Sequence, residues 1–138
     1  MTTTDENKTV VRQYIDLLFN RGDAEGADQY IAEDFVNHDP PFGATADRDG
    51  MRRTSMMVRA AFPNWQAEPF LLVGEDDIVV EVFTASGNHT GDAVMGVEPS
   101  GRQVTLQGIN VFRIRDGVIV ERWGRLDDIG FRAQLGVK

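Results

Sequence analysis

Apolar residues recur at helical spacing through the first half of the chain and switch to alternation in the second. Val10, Val11, Tyr14, Leu17 and Leu18 form one stripe, which Asn20-Arg21-Gly22 ends. Thr4, followed by Asp5 and Glu6, is suited to cap this helix at its positive end. Asp23 can cap a second, shorter helix with Ala24, Ala27, Tyr30 and Ile31 facing inward. Met51, Thr54, Val58, Ala61 and Phe62 make a third stripe, and Pro63 stops it.

From Trp65 onward the spacing points to strands. Residues 66–73 read as a strand that Pro69 confines to a sheet edge. Glu75-Asp76-Asp77 turns the chain into a longer strand over 78–88, which Gly91 to Met95 would continue after an irregularity at Gly87-Asn88-His89. Strands over 102–115 and 118–127 are joined by Asp116-Gly117, a strong hairpin signal. A short helix then runs from Asp128 or Ile129 to Leu135 and stops before Gly136. Helices followed by antiparallel strands predict one α+β domain over residues 1–138. Its curved antiparallel sheet would wrap the N-terminal helices into a cone whose open end suits a small molecule.

A two-residue turn makes Arg115 oppose Val118, and counting outward sets the register. Phe112 then faces Glu121, Asn110 faces Trp123, Gly108 faces Arg125 and Leu106 faces Asp127, all on one side. This side mixes aromatic and polar groups, as a cavity wall would. The opposite side carries Gln107, Ile109, Val111, Val120, Arg122 and Leu126, a mixture that suits burial against a second copy of the chain.

A net charge of −8 argues against nucleic acid or an anionic membrane as partner. No apolar run reaches the length of a membrane span, and the first residues do not read as a signal peptide, so the cytoplasm is the expected compartment. The sequence has no cysteine, which removes disulfides, thiol nucleophiles and thiolate metal sites. His38, Asp39, His89 and Asp92 have no recognised ligand spacing, and no glycine-rich phosphate loop precedes a helix. Neither metal nor organic cofactor is expected.

The stretch FVNHDPPFG, residues 35–43, combines His38 and Asp39 with two prolines and two phenylalanines. Its prolines exclude an interior strand or helix and stiffen a turn. Asp127 ends the last strand, where it could exchange protons with a carbon acid or simply cap the helix that follows. Arg125 nearby would keep such a carboxylate ionised. His38 and His89 could shuttle protons or bind a substrate oxygen, or serve as ordinary loop residues.

FVNHDPPFG, MRRTSMMVRAAFPNW and the long stretch from GNHTG through FRIRDGVIVERWGRLDDIG resemble, in this order, the SnoaL-like polyketide cyclases of the nuclear transport factor 2 superfamily. The resemblance implies an α+β cone with a cofactor-independent site inside it. It also implies that Asp127 acts as general acid/base in an intramolecular aldol closure, with His38, His89, Asn110 and Trp123 lining or closing the pocket. Trp123, Phe112, Phe42 and Trp65 become candidate stacking walls for a flat polyketide ester, and Tyr14 joins the candidate substrate-binding set. Two residues depart from the family pattern: Arg122, where a histidine is common, and Arg125, where apolar residues are common. Hydroxylases and epoxide hydrolases of the same fold, and cones that only bind, are the alternatives. A homo-oligomer, dimer or tetramer, is expected.

Overall fold

The computed structural model describes residues 3–137; Met1, Thr2 and Lys138, the ends of the expected domain, lie outside the described residues. Helix α1 (Thr4–Ile15) starts one residue earlier than expected, because Thr3 and not Thr4 has a glutamate three positions on. The Thr3 hydroxyl accepts from the Glu6 amide at 3.1 Å, and the Glu6 carboxylate accepts from the Thr3 amide at 3.3 Å. A wider π turn, Asp16–Asn20, follows. There the Asn20 side chain accepts from the Ala67 amide at 2.7 Å and donates to its carbonyl at 3.0 Å, which ties the helix to the sheet. Asp23 caps α2 (Ala24–Ala27) as expected.

The second helix ends early, and Ile31 belongs to a strand, β1 (Ile31–Asn37). Its inward and outward residues do not alternate evenly, so it carries no period-two signal. α3 (Arg48–Ala61), capped by Asp47, β2 (Gln66–Glu75), β3 (Ile78–Asn88), β4 (Gln103–Arg115), β5 (Val118–Leu126) and α4 (Asp128–Leu135) complete the chain. The sheet order is β1-β5-β4-β3-β2. β1 runs parallel to β5 and the other pairs are antiparallel, so the sheet is mixed. β2 is an edge strand, as Pro69 requires, and its register slips at Phe70.

Gly91 to Met95 do not extend β3. The amides of Gly91 and Asp92 instead donate to the carbonyls of Ala61 and Ala60 at 3.0 and 2.9 Å, closing the C-terminal end of α3.

The hairpin register also differs from the expected one. Arg115 does oppose Val118, around Asp116 and Gly117 with φ of 51° and 80°. Ile114 then pairs with Ile119, but Arg113 pairs with Glu121, so Val120 is an extra residue in β5. Beyond this bulge the side chains of β5 exchange faces: Phe112 pairs with Arg122, Val111 with Trp123 and Gly108 with Leu126. Arg122 is therefore turned into the cone, and Trp123 is turned out of it. Val118, Ile119 and Val120 are all apolar, so nothing in the alternation marks which of them is the extra one.

The core forms where Val79, Phe83, Ala85, Leu106, Phe112 and Ile114 of the sheet meet Val11, Tyr14, Leu18, Val58 and Phe62 of the helices. Two rows of paired residues cross the outer face, Val73–Val80–Val111–Trp123 and Leu71–Val82–Ile109–Arg125. Among the described residues no helix is long and apolar enough to cross a membrane.

Candidate functional site

Along β3, Val79, Glu81, Phe83 and Ala85 all point inward, which places a carboxylate in the apolar phase of the strand. Glu81 is 0% exposed. One of its oxygens, Oε1, accepts from Asn110 Nδ2 at 2.8 Å, from the residue directly across in β4. Asn110 Oδ1 accepts from Arg122 Nε at 2.8 Å. Arg122 Nη1 donates to Asn37 Oδ1 at 3.1 Å and to the Asp39 carbonyl at 2.8 Å. A polar chain thus crosses the interior from β3 to the end of β1. The second oxygen of Glu81, Oε2, is buried with no hydrogen-bond partner among the described residues.

This chain lies on the wall of a cavity of about 70 Å³, otherwise lined mainly by apolar residues such as Phe19, Met51, Val58, Trp65, Phe83 and Leu106. Burial pushes Glu81 up to about 6, against the Asn110 hydrogen bond and the Arg122 charge, which favour ionisation. Burial likewise lowers Arg122, while Asp39, Tyr14 and Glu81 act in the opposite sense. A guanidinium remains charged at neutral pH under such a shift.

The mouth is built by the stiff turn after β1. Asp39 Oδ2 accepts from the Gly124 amide and from Arg125 Nη1, both at 2.9 Å. The Gly124 hydrogen bond, helped by Arg125, holds Asp39 below the usual carboxylate range. Pro41 and Phe42 line the cavity, and Phe42 adopts a φ of 55°, unusual for a residue with a side chain. Its ring packs 5.9 Å from that of Phe131.

Of the residues singled out in the sequence, Asn110, Trp65 and Phe42 line the cavity together. Asp127 does not join them: it is exposed and caps α4, its Oδ1 accepting from the Gly130 amide at 3.0 Å. It borders a shallow surface groove with Phe70, Ile109 and Arg125. The bulge at Val120 is the reason, since it moves the register that had put Asp127 on the same face of the sheet as Asn110. Trp123 stacks on His38 with centroids 4.8 Å apart, outside the cone. His38 Nε2 also meets Glu121 Oε2 at 2.9 Å, and Arg113 bonds Glu121 at 3.0 Å and Asp77 at 2.9 Å. The His38 contact, then Arg113, holds Glu121 below its ordinary value against partial burial.

His89 is fully buried against Phe62, 5.2 Å between ring centroids, and its Nε2 meets the Asp92 carbonyl at 2.8 Å. That bond ties together the loop that closes α3. Phe112 and Tyr14 are core residues outside the cavity lining. Burial raises the Tyr14 hydroxyl well above its ordinary value, so it stays protonated. No three His, Asp or Glu side chains gather to hold a metal ion among the described residues. Glu81 was missed in the sequence although a signal existed: a charged residue in phase with Val79, Phe83 and Ala85. Asn37 and Asp39 gave no such signal, because their partners lie more than 80 positions away.

Comparison with known proteins adds the relationships. IdmH from Streptomyces antibioticus, a candidate polyketide cyclase, is 33% identical, with 95% of this chain and 99% of that one covered and a TM-score of 0.82. AclR from Streptomyces galilaeus, a candidate hydroxylase, is 25% identical over 97% and 98% of the two chains, with a TM-score of 0.84. A candidate polyketide cyclase from Acidithiobacillus ferrooxidans shares the fold, with a TM-score of 0.83 at 23% identity over 99% and 98% of the chains. No curated protein is similar enough in sequence to count as a relative. The family model of the SnoaL-like polyketide cyclases matches residues 8–135, from the first helix through the bulged strand to the end of α4. With nearly its whole length matched, this chain belongs to the SnoaL-like polyketide cyclase family.

Proposed function

We propose that the protein closes a ring in a small, flat poly-keto substrate by intramolecular aldol chemistry, with Glu81 as general acid/base. The observation that carries this reading is that Glu81, a residue on the wall of a largely apolar cavity, has a buried oxygen, Oε2, with no hydrogen-bond partner among the described residues. The ionised carboxylate takes a proton from the carbon between two carbonyls, and the electron pair moves onto the carbonyl oxygen. The enolate carbon then attacks a second carbonyl carbon, forming the C–C bond. The resulting alkoxide recovers the proton from Glu81. No oxidant or reductant enters the balance. Such a carbon acid is readily ionised, so much of the protein's contribution is to hold the two reacting carbons together. Asn110 and Arg122 orient the carboxylate, and Trp65 and Phe42 offer faces for a conjugated ring system.

The test supplies an aromatic β-keto ester in labelled water under labelled oxygen. Ring closure with exchange at the activated carbon and no new oxygen label is expected. Oxygen label in the product would instead place the protein with the hydroxylase or hydrolase alternatives.

The proposal sets a pH dependence. Glu81 must be ionised to act as base and titrates near 6 in the folded protein. A plot of kcat/KM against pH is therefore expected to rise about tenfold per unit below pH 6 and to level off above it. A profile flat from pH 4.5 to 7.5 would remove Glu81 from the chemistry.

We also propose that the subunit pairs with a second copy through the outer face of its sheet. Leu71, Val73 and Ile109 are exposed there beside Val111 and Val80, which makes an apolar patch of the kind that association covers. Val111→Glu is expected to turn the assembly into monomers of unchanged fold, read by light scattering and circular dichroism. A wild-type protein that is monomeric at micromolar concentration would end this proposal.

A further inference from the structure

Arg122 is a buried cation whose donors are only partly used. Nε bonds Asn110, and Nη1 bonds Asn37 and the Asp39 carbonyl. Nη2 has no acceptor among the described residues, and no carboxylate there lies within ion-pair distance of the guanidinium. Asp39 meets it through a backbone carbonyl, and Glu81 is reached only through Asn110. Yet the residue is 4% exposed and borders both the cavity and the recess beside it. The guanidinium thus keeps an unused donor edge at the wall of these two spaces, where an acceptor oxygen can meet it.

The position of Nη2 depends on the residue two places on. A Cβ at Gly124 would overlap Nη2, and it would stand 2.6 Å from Cζ and 2.9 Å from Nη1. The guanidinium therefore occupies the space that any side chain at 124 would need. Gly124 itself is held by its amide, which donates to Asp39 at 2.9 Å. Backbone and guanidinium are thus fixed from the same turn.

We propose that the Nη2 edge of Arg122, seated over Gly124, is a subsite for a substrate oxyanion, the enolate oxygen of a 1,3-dicarbonyl. Gly124 is its positioning residue. The proposal deepens the aldol reading and rests on it for the identity of the oxygen. The geometry suits that step: negative charge leaves Glu81 as it takes the proton and appears on the substrate, and a fixed cation in the same cavity favours the transfer. A planar donor edge also matches an oxygen on a planar, conjugated carbon.

The test uses a hydroxynaphthalene whose neutral and ionised forms absorb at different wavelengths. Bound to the wild-type protein, it is expected to ionise at a pH at least one unit below its value in solution. Gly124→Ala should bring that value back to within a few tenths of a unit of the solution value, because only the end of a flexible side chain has to move aside. Its melting temperature should fall, because the displaced guanidinium loses hydrogen bonds to Asn110, Asn37 and the Asp39 carbonyl, while the circular dichroism spectrum of the fold is unchanged. Arg122→Met should abolish the shift where it folds, and Gly124→Ala carries the test where it does not. Glu81→Gln should retain the shift, which separates the two readings. Loss of the base hypothesis with the shift intact leaves the subsite standing. A wild-type protein that binds the probe un-ionised, does not bind it, or keeps the shift in Gly124→Ala overturns the proposal.

Discussion

Glu81→Gln is expected to lower turnover by about 10²–10⁴-fold while leaving the fold intact. Glutamine retains the oxygen that accepts from Asn110 and removes only the proton-transfer function. Its effect on stability should have the opposite sign. The folded-state value near 6 exceeds the ordinary 4.5, so between those values the folded protein binds more protons than the unfolded chain. The contribution of Glu81 to stability is then greatest below pH 4.5, falls as pH rises to about 6, and stays reduced by about 2 kcal/mol above it. The variant lacks this penalty, so it should be more stable than wild type at pH 8, with the difference closing toward pH 4.5. Paired turnover and denaturant measurements at the two pH values check both claims. Asp127→Asn is the control: asparagine also caps helices, so near-normal turnover and stability are expected. Collapse of activity in Asp127→Asn with activity preserved in Glu81→Gln would return the general acid/base role to Asp127.

Gly91→Ala should destabilise the protein by about 3 kcal/mol or more, lowering Tm by roughly 10 °C. A Cβ at this position would run into the Ala60 carbonyl oxygen, with the Ala61 carbonyl oxygen only 3.3 Å away. Those are backbone atoms and cannot rotate aside. Making room separates the loop from the end of α3 and lengthens the bonds from Gly91 and Asp92 to Ala61 and Ala60. It also disturbs the seat of His89 beside Phe62. Thermal melting measures the loss, and faster amide exchange at Gly91 and Asp92 would locate it. A Tm within about 2 °C of wild type would show that the loop can move at little cost.

The NHTG segment shows how one residue type can fit more than one role. A histidine among turn residues is compatible with proton transfer, but here the local folding gives His89 the task of joining a loop to a helix end. FVNHDPPFG divides similarly. Its first residues complete β1, Pro41 and Phe42 close the cavity, and His38 turns to the outer face against Trp123. The stiffness was legible in the prolines; the side each residue faces was not.

What the sequence by itself determined was the inventory of elements: the four helices, with the inner faces of α1 and α3, the edge position of β2, the hairpin at Asp116-Gly117 and the stop at Gly136. These follow from apolar periodicity, proline and glycine, all of which act within a few residues. The tertiary structure alone decided the parallel strand β1 and the bulge at Val120. The pairing of β1 depends on contacts distant in sequence, and the place of the bulge is hidden by three consecutive apolar residues; a single extra residue in a strand then reverses every later side chain. That one residue exchanged Trp123 for Arg122 inside the cone and left Asp127 at the surface. It joined Arg122, through Asn110, to a carboxylate on β3 that local pattern marked only as an irregular charge in an apolar row.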